Sequence, residues 1–230
     1  KVAREISAAG GIAETAEVDA LDENAIDKHA DAVAEKAGGI DIALNAVGIL
    51  HVQGPPFAEL SFEDYAHPIT AYTRTNFLTA KAVARHMVKQ GSGVILTLST
   101  PGARMTGQGF LGNGVSSAAI EAFSRILAGE LGASGIRVVC LRPHAIPEAV
   151  ATSHTREVFS GFAERAGTTV DRVVNRVQAA RGVKDWKYLL DFNEGCPNVG
   201  YLLDFLRRVR EATPPPARER QLQAAGAPSG

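Results

Sequence analysis

The chain has 230 residues and a formal net charge of −1, with 45% hydrophobic and 21% charged side chains. That balance belongs to an ordinary globular domain long enough to bury a core. It lacks the basic footprint that nucleic acid or an anionic membrane surface demands, and no apolar run nears the roughly 18 residues of a membrane span. Two cysteines, Cys140 and Cys196, are too few for a dense disulfide framework or a four-thiolate metal site, and the cytoplasm is the expected compartment.

In chain order, Lys1-Val-Ala-Arg-Glu-Ile opens as an amphipathic helix rather than a signal peptide. Ile12 to Asp19 is a weak strand candidate. Asp22 is placed to cap a helix whose apolar positions Ile26, Ala30 and Val33 recur at helical spacing. Ile40 to Asn45 reads as a strand buried on both faces, as do Val94 to Leu98 and Ile136 to Leu141. Such short apolar runs introduced by glycines suit a parallel sheet. Ser61 with Asp64 has capping-box spacing, and the helix it opens is expected to run toward Lys89 with Pro68 near its start.

Thr106, Gln108 and the glycines at 107, 109, 112 and 114 read as a flexible loop over a crevice. Val115, Ala119, Ala122, Phe123 and Ile126 form an apolar stripe on a helix ending near Gly132. Alternating strands and helices predict an α/β fold, a doubly wound parallel sheet of Rossmann type, whose working crevice lies beyond the carboxyl ends of its strands. Cys140 reads as a small buried hydrophobe. Glu148 to about Arg165 is either a lid or a plain amphipathic helix. Beyond 182 the character changes: Val199 to Arg210 fits one amphipathic helix, and the Pro-, Ala- and Gly-rich stretch from Pro214 reads as a disordered tail. The expected domains are residues 1–182, of dinucleotide-binding type, and 183–230.

Several motifs in register resemble the short-chain dehydrogenase/reductase family. Leu98-Ser99-Thr100 is followed at 113–119 by Asn-Gly-Val-Ser-Ser-Ala-Ala, similar to the family's Ser-Ser strand end and its Tyr-x-x-Ser-Lys-Ala-Ala helix. Thr100 stands at the position of the catalytic Ser, Asn113 at the Tyr and Ser117 at the Lys. Val18-Asp19 resembles the turn whose Asp holds the adenine ring. Asp41 to Gly48 resembles the family's Asn-Asn-Ala-Gly strand, with Asn45 and Gly48 kept and Ala46 replacing the second Asn. Asn76 falls where the family anchors a water-linked proton relay, and Arg142-Pro143-His144 resembles the Arg-Pro-Gly beside the nicotinamide.

The resemblance implies NAD or NADP as cofactor, a small-molecule carbonyl or alcohol substrate, and a homo-oligomer formed through the helices of Asn76 and Asn113. Its implied catalytic set is Asn76, Thr100, Asn113 and Ser117; the implied cofactor-binding set is Asp19, Asn45, Gly48 and Pro143. The family's opening strand and Gly-rich phosphate cradle are not among these residues, and Ala9-Gly10-Gly11 is not that turn. Nothing after 182 resembles the family's last helix and strand, and a shortened start with a frame change near the end would account for both.

In this family a Tyr phenol, its pKa lowered by the Lys, hands a proton to the developing alkoxide. Asn113 and Ser117 cannot do this, so an impaired or altered oxidoreductase is expected. The alternative is a non-catalytic relative that binds a ligand or partner. His51 and His144 lie past strand ends, where either could carry a proton near neutral pH, although a plain loop histidine is the simpler reading. A metal site of His51, His144 and His154 lacks prearranged spacing, and no metal is expected. Asp19 could equally cap its turn, and Asn76 could simply bond backbone.

Overall fold

The structure is a computed structural model, and it describes residues 2–143, 155–179 and 190–192. The chain divides into two compact units, residues 1–18 with 196–230, and residues 19–195. The described part of the first holds helix α1, Val2–Ala8. The second holds a four-stranded sheet in the order β1-β2-β3-β4: β1 Ile42–Leu44, β2 Gly93–Leu98, β3 Ile136–Pro143 and β4 Leu190–Phe192. The first three are parallel, in the register Ala43↔Ile95 and Ile95↔Val138, whereas β4 runs antiparallel with Leu141 opposite Phe192. Parallel neighbours need a helical crossover, and α3, Phe62–Gln90, and α4, Leu111–Leu131, supply them. This is the expected α/β architecture of Rossmann type.

Two strand expectations fail. Residues 12–19 form no strand, because no described segment offers them a hydrogen-bonded ladder. Nor is β1 buried on both faces: Ile42 and Leu44 are each 53% exposed, since β1 is an edge strand with only one covered face. β2 and β3 are the interior pair, with Val94, Ile95, Ile136 and Val138 in the core.

Helix α2, Glu23–Ala37, starts at Asp22, whose carboxylate accepts from the backbone N–H groups of Asn24 and Ala25. Ile26 and Ala30 are buried, but Val33 is not. The Ser61 cap differs in detail from the expected box. Its Oγ accepts from Asp64 N and donates to the Asp64 carboxylate, so the two side chains bond each other and Asp64 does not reach back to the Ser61 backbone. Gln90, at the far end of α3, clamps Ile40 by accepting from its N–H and donating to its carbonyl, which fixes the entry to β1.

The apolar stripe of α4 is not the face the helix buries most deeply. The residues it buries are Gly112, Ser116, Ser117, Ile120, Glu121 and Ser124, while Ile126 is 62% exposed. A polar face can be buried because each member is bonded. Ser116 donates to Asn113 O, and Ser124 donates to Ile120 O while sharing a hydrogen bond with Thr97.

Gly112 and Gly114 belong to the first turn of α4 rather than to a loop. A Cβ on Gly112 would lie 2.9 Å from the Tyr65 carbonyl oxygen and 3.0 Å from Pro68 Cγ. Backbone cannot yield as a side chain does, so Gly112→Ala is expected to push α3 and α4 apart and cost about 1–3 kcal/mol. Denaturant unfolding checks this.

Candidate active site

The site forms where β2 ends. The β2–β3 ladder runs on to Ser99, whose N–H donates to Leu141 O at 2.8 Å, and Thr100 then leads into a short 3₁₀ turn at Pro101–Ala103. One turn into α4, Asn113 and Ser117 sit on neighbouring turns of the same face. Thr100 Oγ1 lies 3.2 Å from Asn113 Oδ1 and 2.9 Å from Ser117 Oγ. These three expected residues are therefore in mutual contact.

A fourth member comes from the segment after β1. His51 Nδ1 lies 2.7 Å from Ile49 O, and its Nε2 lies 2.8 Å from Gln53 Nε2 and 3.3 Å from Asn113 Nδ2. A carbonyl only accepts, so Nδ1 carries the proton, and Nε2 faces two amide donors with its lone pair. The Tyr72 ring stands edge-on to the imidazole, and its hydroxyl bonds the backbone of Ile49. Burial holds the His51 pKa below its ordinary value; the bond to Ile49 opposes this and the nearby His67 adds to it.

The segment is pinned on both sides. Gly54 N–H donates to Gly109 O at 2.6 Å, and Gly54 packs backbone to backbone against Gly161 of helix α5, Thr155–Arg165. The stretch at 105–110 is thus anchored to the segment beside it. Between the His51 segment, α3 and α5 lies a cleft of about 410 Å³, lined by His51, Leu50, Val52, Glu63, His67 and Glu157 among others.

Beneath the site is a buried ion cluster that the sequence reading missed. Glu121, 7% exposed, accepts from Arg142 Nε (2.6 Å) and Ser99 Oγ (2.9 Å) on one oxygen and from Arg104 Nε (3.0 Å) on the other; Arg142 is itself 8% exposed. The one signal was a carboxylate set in the apolar run Ala118-Ala-Ile-Glu-Ala-Phe123. Burial alone would raise this carboxyl's pKa, but the hydrogen bonds from Arg142, Arg104 and Ser99 together hold it below the ordinary range.

The remaining expected residues do not join this group through any side-chain hydrogen bond among the described residues. Asn45 and Asn76 are both buried; Asn45 Nδ2 and Asn76 Oδ1 have no hydrogen-bond partner among the described residues. The other end of each amide is engaged: Asn45 Oδ1 accepts from Val47 N, and Asn76 Nδ2 donates to Tyr72 O. Asp19 accepts from Leu21 N, a turn-capping bond. Nothing crowds Gly48, where a Cβ would meet no atom within 4 Å. Pro143 ends β3 opposite Leu190. Cys140 is buried, and burial raises its thiol pKa. His144, His154, Cys196, the 182/183 boundary, the segment 199–210 and the tail lie outside the described residues. Among those described, no group of three His, Cys, Asp or Glu could hold a metal, and no helix is long and apolar enough to cross a membrane.

The Rossmann-like parallel sheet points to a class of protein, and the comparisons bear on it directly. A family model described as enoyl-(acyl carrier protein) reductase matches residues 1–180. The chain is 29% identical over 170 residues to xanthoxin dehydrogenase of Arabidopsis thaliana, covering 67% of this chain and 60% of that protein. It is 35% identical over 107 residues to an NADPH-dependent aldehyde reductase-like chloroplastic protein of the same plant, covering 46% and 40%. A solved dehydrogenase/reductase from Sinorhizobium meliloti 1021 superposes with a TM-score of 0.59 at 26% identity, over 76% of this chain and 70% of that one. The chain belongs to the short-chain dehydrogenase/reductase family. It spans 40% to 60% of the length of the curated relatives it matches.

Glu121→Gln removes the charge that compensates two guanidinium groups, one of them buried. Breaking such a pair is expected to cost about 3–5 kcal/mol, measured by urea unfolding at pH 7. Because the folded pKa of Glu121 is lowered, its stabilisation is present above the unfolded value near 4.5 and lost as pH falls through the folded value. The gap between wild type and Glu121→Gln should therefore narrow below that pH.

Proposed function

We propose that the protein is a NAD(P)-dependent oxidoreductase acting on a small carbonyl or alcohol, with proton chemistry altered from that of its family. The observation that carries this reading is the contact of Thr100 with both Asn113 and Ser117 at the end of β2. It supports a working pocket in the family's register, built from hydroxyls and an amide in place of a phenol and an ammonium.

The residues fit a nicotinamide nucleotide. Asn45 Nδ2 is a buried donor with no protein partner beside the carboxyl end of β1, and a buried polar atom left unpaired is costly unless a ligand or water meets it. We assign Asn45 to a ribose hydroxyl, Gly48 to close backbone approach, Asp19 to the adenine and Pro143 to the nicotinamide side. When bound, the nucleotide supplies the hydride donor or acceptor. Thr100 orients the substrate oxygen, Asn113 offers it an amide hydrogen, and Asn76 presents its free carbonyl oxygen toward a water or ligand. None of them releases a proton near neutral pH. Losing a positioned acid typically costs about 10²–10⁴ in rate, so carbonyl reduction is expected to be slow. The cytoplasm, reducing and rich in nicotinamide nucleotides, suits this reading.

Calorimetric titration of the full-length protein with NADH and NADPH should show binding of at least one; failure with both sinks the oxidoreductase reading. Asn113→Tyr with Ser117→Lys should raise reduction across a panel of aldehydes and ketones by about 10² or more. Nucleotide binding without any such gain would favour the second reading, a non-catalytic relative, which the identities of residues 113 and 117 support.

A homo-oligomer is part of the same proposal. Phe77, Ala80 and Ala84 of α3 and Phe123, Ile126 and Leu127 of α4 line a groove of about 430 Å³, on the apolar face that α4 turns away from the sheet. A second copy meeting this face in the family's manner would bury Phe77 and Ile126, each more than half exposed. Ile126→Glu should then shift the protein to monomer in analytical ultracentrifugation.

A further inference from the structure

His51 both lines the 410 Å³ cleft and hydrogen-bonds to Asn113 of the Thr100–Asn113–Ser117 group. The protein has set its tautomer, because Nδ1–H is spent on Ile49 O, 2.7 Å away. It has also set the amide beside it: Thr100 Oγ1 meets Asn113 Oδ1, which turns Asn113 Nδ2 toward His51 Nε2. Every bond in this row agrees with an unprotonated Nε2. We propose that His51 is the proton acceptor of this site, taking the hydroxyl proton of an alcohol that enters through the cleft between α3 and α5.

The inference rests on the oxidoreductase reading and sets its favoured direction as alcohol oxidation. The carbinol C–H bond breaks with its electron pair going to an oxidised nicotinamide nucleotide, and the O–H bond breaks toward Nε2. The carbinol carbon is oxidised to a carbonyl, the nucleotide is reduced, and the proton rides on the imidazole until water takes it. In the free protein the amides of Gln53 and Asn113 occupy the Nε2 lone pair; the entering alcohol displaces them to reach it, and Ile49 O stabilises the imidazolium through Nδ1–H.

The groups facing His51 act in both directions. From α3, His67 opposes its charging, Tyr72 contributes only its ring and hydroxyl, and Glu63 and Asp64 line the same cleft; from α5, Glu157 does so as well. The segment 105–110 and the near turns of α4 present no ionisable side chain. Burial leaves the neutral imidazole favoured at pH 7, the state a proton acceptor requires.

Imidazole ¹H–¹⁵N spectra of the wild-type protein, with His51 assigned by loss of its signals in His51→Gln, test the claim. The expected state is Nδ1–H with a bare Nε2 at pH 7, titrating below about 6.5. Nε2 should also shift on addition of primary and secondary alcohols to nucleotide-saturated protein. Oxidation of the responding alcohol should fall by about 10²–10³ in His51→Gln and lose the acidic limb of its kcat/KM profile, with nucleotide affinity unchanged. An Nε2–H tautomer, an Nε2 deaf to every alcohol, or a variant that oxidises like wild type overturns the role of His51 alone. A wild type that binds neither nucleotide overturns the oxidoreductase reading and this inference with it. If His51→Gln does not fold, Gln53→Leu serves: removing a donor from Nε2 should raise the His51 pKa and move the acidic limb to higher pH, and an unmoved limb counts against the proposal.

Discussion

A single carboxylate holds the ends of two strands and a helix in one place. Glu121 reaches from α4 to Ser99 at the end of β2, to Arg142 at the end of β3 and to Arg104 just beyond the 3₁₀ turn. Burying an ion is expensive, and the cost is recovered only when the partners are close and the lone pairs are filled; three donors on two oxygens meet that demand. The cluster also forces the helix to turn its polar side inward. With Glu121 fixed, Ser117 one turn earlier and Ser124 nearly one turn later must face the sheet too, and each finds a hydroxyl partner there.

The position of the candidate site follows from that docking. Thr100 meets Asn113 and Ser117 because Ser99, its neighbour, is tied to the helix that carries them. In the pocket one hydroxyl faces an amide and a second hydroxyl on the helix. Among the described residues His51 is the histidine bonded to this group, and it arrives from a different segment, held between α5 and the stretch at 105–110. The helix that turns its polar face inward turns an apolar stripe outward, and one structural constraint thus sets both the site and the exposed groove between α3 and α4.

Much of the fold was legible because its signals are local. Short apolar runs behind glycines marked β1, β2 and β3, and Asp22 and Ser61 marked the starts of α2 and α3. The family motifs placed Thr100, Asn113 and Ser117 together, and they are in contact. The failures are equally physical. Residues 12–19 have strand-like composition, but a strand exists only when something pairs with it. The stripe from Val115 to Ile126 was legible, but apolar periodicity reports only that a face seeks cover; here a bonded polar face is the one buried deepest, and the stripe is covered only in part.

The sequence by itself determined the alternation of strand and helix and the caps, since these depend on neighbours a few residues apart. Only the tertiary structure decided which face of α4 is buried, that Glu121 is an ion-cluster centre rather than a surface charge, and that His51 meets Asn113. Those contacts join residues 17 to 62 positions apart, and no local pattern encodes the distance between side chains that only folding brings together.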